Sequence, residues 1–428
     1  MAKTAVIGAG VMGLACAYEL LKNGHSVDIY EADDRVGGMA AHFDFAGLSI
    51  ERYYHFICKT DHYLFDMLAE LGIDDKLQWR ETYMGYYYDG QMYDWGNPIA
   101  LFRFPKLGLI AKFRYGLHAF LSTKRKNWKT LDDVEASVWI RKWIGDEAYN
   151  ILWKRLFALK FFKYKDNLSA AWIWSRIKRV GLSRRSMMQE EMGYIEGGSE
   201  TLLESLEQKI KELDGTIHLS SPVTSVDIEN EQIKSITIGD VKATYDSVFS
   251  TVPLPYVPRM IPDLPEDYRA RYESIQNMGV VCVIFRLRRG VSRNFWLNVS
   301  DESMEIPGII EFSNLRPLHE SLVYVPYYMP RDYPKFAHDN AYFIDEAKQY
   351  IKQLNPEITD DDIIAEHASR YGYAQPVCQP GFSRVLPPIK TSIKGLYIAD
   401  TSYYYPEDRS ISESVNVGKQ MADLASEE

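Results

Sequence analysis

The hydrophobic pattern of the first thirty residues changes period twice. TAVIGAG is a continuous apolar run ending in a glycine turn, which reads as a buried strand. VMGLACAYELLKNG follows with apolar residues at helical spacing, and Gly24 is its stop signal. HSVDIYE is a second strand that ends on Glu31. Further along, YMGYYYDGQMYDW predicts a hairpin of two aromatic strands around the Asp89-Gly90 pair. From Pro98 to Ser186 the pattern turns helical, with Thr130 as the cap of one helix and Asp133 three residues on. The stretch opening at Gly193 reads as a glycine-opened helix, a turn at Gly215 and then strands. Strands predominate again from Val280 to Tyr328, and a helix covers Ala341 to Leu354. GLYIADTS is a last strand and SISESVNVGKQMADLA a last helix. With no internal repeat and no low-complexity linker, the domains are expected to interleave.

The first strand, helix and strand form a βαβ unit with GAGVMG at its first turn, the arrangement that receives a dinucleotide. Gly8 permits the tight turn, Gly10 lets backbone approach a pyrophosphate, and Gly13 lets helix and strand pack closely. The helix N-terminus then turns its positive end toward the phosphates. Glu31 is placed to accept hydrogen bonds from a ribose 2′-hydroxyl, and its charge excludes a 2′-phosphate, hence NADP, at this position.

The next residues carry a resemblance. EADDRVGG, with Arg35, the pair Gly37-Gly38 and then Met39, is similar to the loop that lies against the cofactor pyrophosphate in the superfamily of flavin amine oxidases, protoporphyrinogen oxidases, carotenoid desaturases and UDP-galactopyranose mutases. GLSIERYYHFI resembles that superfamily's approach to the flavin ring and implies His55 beside it. EGGSETLLESL with DGTIHLSSPVTSV resembles its second glycine helix and implies Val223 at the adenine. AQPVCQPGFSR with GLYIAD resembles its closing segment. It implies Asp400 at the ribityl-phosphate part and the helix opened by Arg409, Ser410, Ile411 and Ser412 at the flavin's N1–O2 edge. FAD is the implied cofactor. The implied fold class is α/β: a Rossmann-like FAD-binding domain (1–80, 193–262 and 376–428) interleaved with an α+β substrate domain (81–192 and 263–375).

Bulk composition refines this reading. Four scattered cysteines without a CxxC pair fit a reducing compartment, the cytoplasm, and argue against a disulfide framework or a zinc site; no metal is expected. No uncharged apolar run is long enough to span a bilayer. The net charge of −10 conceals a division: residues 95–189 hold 20 Lys+Arg against 6 Asp+Glu, together with seven of the nine tryptophans. Such a basic block reads as a solvated surface, as neutralisation of an anionic small-molecule substrate, or as peripheral membrane contact through residues 100–129. No nucleic-acid motif accompanies it.

The implied activity is hydride transfer from a C–N or C–C bond of a mid-sized, anionic substrate to flavin N5. The alternative is a redox-neutral flavoenzyme acting on a sugar nucleotide, as in the mutases. Many flavin amine oxidases carry a lysine on the strand matching MGVVCVIF, Met278 to Phe285, and this chain has none there. Tyrosine clusters at 86–88, 324–328, 371–373 and 403–405 suggest a polar aromatic pocket. Arg176, Tyr327, Tyr404 and Tyr405 are the expected substrate contacts, and the catalytic residue is left open.

Overall fold

A computed structural model of the chain describes residues 2–426. Five strands form a parallel sheet in the order Thr216–His218, Ser26–Tyr30, Lys3–Ile7, Ser247–Ser250 and Leu396–Ile398. Parallel neighbours require crossover connections, so three distant stretches of sequence must meet to complete this layer. The helix Val11–Lys22 begins directly after Gly10 and is buried on nearly every side. It lies between the sheet and the final helix, Ile411–Ser426, which explains its lack of a polar face. The two helices touch at Gly418, where a Cβ would stand 2.5 Å from the Met12 carbonyl oxygen. Their N-termini open on the same cavity.

A second, seven-stranded sheet has the order Ile363–Pro376, Asn277–Leu287, Ser321–Met329, Gly308–Glu311, Trp296–Val299, Met84–Tyr88 and Gln91–Trp95. The expected hairpin is its outer pair, and Asp89 (φ +53°) and Gly90 (φ +70°) make the left-handed turn that such a two-residue loop requires. Both faces of the central strands are covered. Val281, Val283 and Phe285 pack with the helix Asn340–Leu354, while Val280 and Cys282 turn to the cavity.

The basic block folds as helices Pro98–Arg103, Leu109–Lys124, Lys129–Asp132, Ala136–Leu152, Lys154–Phe161 and Ala170–Leu182. The expected cap at Thr130 is not realised. Glu135 caps the long helix, accepting from the Ser137 and Val138 amides at 2.9 and 2.8 Å. Asp133 is instead drawn into a long-range ion pair with Arg384, and the Thr130 hydroxyl accepts from Arg125 at 3.0 Å. The expected glycine-opened helix is Ser199–Glu212, entered through Gly198 (φ +83°), while Gly193 itself sits in the preceding strand Gln189–Ile195.

Candidate functional site

The parallel sheet, the mixed sheet and the helical segment enclose a cavity of about 910 Å³, in the upper part of the range of roughly 300–1,000 Å³ for small-molecule sites. At one end the first strand breaks at Gly8, whose φ of +101° suits glycine alone. A Cβ on Gly13 would lie 1.9 Å from the Gly8 carbonyl oxygen, so the helix can start this close to the strand only with glycine there. A Cβ on Gly10 would meet nothing within 4 Å: the space beside it belongs to the cavity. The Gly37 amide donates to the Ala9 carbonyl at 2.8 Å, which clamps the second glycine pair over the first. Glu31, at the tip of its strand, accepts from the Ala9 and Asp33 amides at 2.7 and 2.9 Å. Each carboxylate oxygen retains acceptor capacity for a hydroxyl. Val223 lies on the wall at this end, beside Pro222 and Thr224.

The chain leaves Ile398 through Asp400, which lines the cavity. Its carboxylate accepts from the Leu254 amide at 2.9 Å and the Ser402 amide at 2.8 Å. Burial pushes this carboxyl up, and the two amides pull it back toward ionisation. Ser410 caps the last helix, its hydroxyl accepting from the Glu413 amide at 3.0 Å. Arg409, Ser410 and Ile411 therefore present a helix N-terminus to the cavity. His55 faces the same region; burial pushes it down to about 4, so it is neutral at physiological pH.

The far end is aromatic and cationic. Tyr54 stands edge-on to Trp296, with ring centroids 5.8 Å apart, and its hydroxyl lies 3.4 Å from that of Tyr328. Lys160 reaches in from the helix Lys154–Phe161 and holds its ammonium 5.1 Å from the Tyr328 ring centroid. Burial, with Arg176 next in effect, pushes this lysine well below the usual ammonium range. Arg176 pairs with Asp408 at 3.1 Å, and Arg409 donates to the Ala374 carbonyl. Behind them Arg179 grips Asp61 through two bonds of 3.0 and 2.8 Å.

Most residues singled out from sequence meet here: Gly8, Gly10, Glu31, Gly37, Gly38 and Met39 at one end, and Val223, His55, Asp400, Arg409, Ser410 and Ile411 along the wall. Arg176 and Tyr404 line it too, although the Tyr404 hydroxyl is engaged with Ser414 at 2.7 Å. Four do not. Arg35 points outward, pairing with Asp34 and donating to the His42 carbonyl at 2.9 Å, while Arg52 takes the wall position. Ser412 is buried in the first turn of the helix, facing away from the cavity, and accepts from the Leu64 amide. Tyr327 faces the opposite side of its sheet, 5.1 Å from the Phe343 ring, and its neighbour Tyr328 faces the cavity. The strand is buried on both faces, so no polar alternation marks which parity looks inward. Tyr405 turns away to Ser169 and Asp132.

At the C-terminal end of the basic block, Arg176 and Arg179 reach the wall, each with a carboxylate partner, whereas Arg184 and Arg185 pair with Glu190 and Glu81 elsewhere. Sequence reasoning missed Lys160, Tyr54 and Trp296. Among the cations of the block, Lys160 is marked in sequence only by the apolar context ALKFF.

The glycine cradle, the carboxylate at the strand tip and the two converging helix N-termini fit FAD, and Gly8, Gly10, Gly37 and Gly38 are the residues that would hold its pyrophosphate. The family described as flavin-containing amine oxidoreductase matches residues 12–406. The chain is 25% identical over 287 residues to a 15-cis-phytoene desaturase of Glycine max, covering 60% of this chain and 48% of that enzyme. It is 30% identical over 156 residues to protoporphyrinogen oxidase 2 of Arabidopsis thaliana, covering 35% of this chain and 30% of that one. The chain thus spans about half, or less, of the length of these two relatives. Its fold is that of reduced UDP-galactopyranose mutase, with a TM-score of 0.77 over 100% of this chain and 96% of the mutase at 16% identity. A family match across almost the whole chain, on a cavity whose residues fit the cofactor, makes this protein a member of the flavin-containing amine oxidoreductase family.

Proposed function

We propose that the enzyme dehydrogenates a mid-sized substrate carrying an anionic group, breaking a C–H bond next to nitrogen or carbon. Bound FAD supplies the two-electron acceptor, taking hydride at N5. The observation that carries this reading is Lys160: a buried amine in the cavity, with no carboxylate in direct contact among the described residues. As one C–H bond gives up its hydride, the proton on the adjacent nitrogen or carbon passes to Lys160 Nζ, which burial disposes toward the amine that can accept it. The electron pair it leaves behind forms the new C=N or C=C bond. An external acceptor such as oxygen or a quinone would take the two electrons onward. The relatives support both bond types, since the family is named for amines and the Glycine max relative is a desaturase.

Arg176 and Arg409 set against the single carboxylate of Asp408 leave about one positive charge at this end, which suits one anionic group on the substrate. Tyr54, Tyr328 and Trp296 orient the remainder and exclude water. A substrate taken from a lipid surface fits as well, because the helix carrying Arg176 packs against the helix Leu109–Lys124.

Anaerobic mixing of the oxidised holoenzyme with amines, polyenes and porphyrinogens tests the reading. Bleaching of the flavin absorbance by members of one class is expected, and silence across all three overturns it. The cationic corner and the whole-length fold match favour a second reading, a redox-neutral enzyme acting on a sugar nucleotide. That enzyme would turn over only after prereduction, without consuming reductant, and equal activity in both flavin states would exclude it.

A further inference from the structure

The helix Leu109–Lys124 is amphipathic in the wrong direction for a core helix. Ala111, His118 and Ser122 face the protein, while Leu109, Ile110, Phe113, Leu117, Phe120 and Leu121 face outward with 38% to 77% of their surface exposed. At about 100° per residue these six fall within an arc of roughly 120°. Ile99 and Phe102 of the preceding helix, 50% and 68% exposed, extend the strip. Of 21 exposed large apolar side chains among the described residues, eight lie in this one stretch, so the surface is concentrated and not the usual scatter.

Charge decides what covers it. Residues 98–129 contain eight Lys and Arg and no Asp or Glu. Lys112 and Lys124 fold back over the rings of Phe102 and Phe120, at 5.7 and 5.4 Å, with their ammonium groups at the rim of the strip. Asp89 and Glu147 from neighbouring elements are held by Lys106 and by the Gly108 amide. A second copy of this face in a two-fold dimer would set cations against cations, whereas anionic headgroups complement them. No helix among the described residues is long and apolar enough to cross a membrane.

We infer that this face docks the enzyme on an anionic bilayer, with the helix lying in the plane of the interface, its apolar strip among the acyl chains and its cations at the headgroups. The Ser122 carbonyl accepts from Trp174 Nε1 at 2.9 Å, on the helix Ala170–Leu182 that carries Arg176 and Arg179 to the cavity. The docking face therefore backs directly onto a wall of the FAD site.

Flotation of the holoenzyme with phosphatidylcholine vesicles, with and without phosphatidylglycerol, tests this. The wild type is expected to float with the anionic vesicles. The exposed double variant Ile110→Asp/Phe113→Asp should lower the bound fraction about tenfold or more, with flavin absorbance and circular dichroism unchanged. The triple variant Lys124→Glu/Lys126→Glu/Lys129→Glu, with every site on the surface, should lose about tenfold or more on anionic vesicles and nothing on neutral ones. Failure of the wild type to float, or flotation of both variants like the wild type, overturns the proposal. So does a wild-type dimer in solution that the Ile110→Asp/Phe113→Asp variant dissociates, since a second copy would then be the occupant.

Discussion

Lys160 lies over the ring of Tyr328, and Tyr328 is the cross-strand partner of Val280. The strand Asn277–Leu287 thus has no lysine of its own facing the cavity, yet an amine arrives beside it from a helix more than a hundred residues earlier. Its neighbours are Arg176, Arg409, Asp408 and aromatic rings. Such surroundings favour the neutral amine.

Lys160→Met should slow anaerobic flavin reduction by about 10²- to 10⁴-fold, the usual contribution of a positioned proton acceptor. FAD content and folding stability should hold, because an apolar chain of similar length suits a buried site. Lys160→Arg should fail to restore the rate, since a guanidinium stays charged. Stopped-flow bleaching rates within twofold of wild type for both variants would remove Lys160 from the reaction.

Asp408 holds Arg176 in place among other cations. Asp408→Ala should cost about 1–3 kcal/mol, because it leaves a partly buried guanidinium unpaired. The double variant Arg176→Met/Asp408→Leu should recover much of that loss. Urea denaturation of the three proteins measures it, and equal stability of the single and double variants would contradict the pairing.

Two glycines of the first turn should respond differently. Gly13→Ala forces backbone apart at the 1.9 Å approach to the Gly8 oxygen, so both stability and FAD content should fall; overpacking of this kind costs about 1–3 kcal/mol. Gly10→Ala has open space and should fold normally while retaining less FAD. Absorbance ratios and melting curves separate the two effects.

His118, packed on the ring of Trp139 at 4.6 Å, is pushed down from 6.5 to about 4 by burial. Between those values the unfolded chain binds a proton that the folded one refuses, so stability falls as pH falls through this window. The loss is about 3 kcal/mol at its lower end. Above pH 6.5 both states are neutral and the residue adds no slope. His118→Leu should flatten the stability profile between pH 6.5 and 4, as measured by denaturation at stepped pH.

The sequence by itself determined what depends on neighbours along the chain. The glycine turn, Glu31 at the strand tip and the Asp89-Gly90 hairpin are local in cause: backbone angles and short spacings dictate them. The FAD assignment was legible for the same reason, since the glycines fitted to hold a pyrophosphate sit in two short turns. The Thr130 cap was misread because a long-range ion pair with Arg384 claimed Asp133, and Arg35 because Arg52 took its place on the wall. Only the tertiary structure decided which face of a doubly buried strand looks inward, and so chose Tyr328 over Tyr327. It alone separated Tyr404 from Tyr405, selected Lys160 from twenty cations in one block, and turned the apolar side of Leu109–Lys124 outward. Periodicity reports that a helix or strand has an apolar side; what that side meets is fixed by chain segments hundreds of residues away.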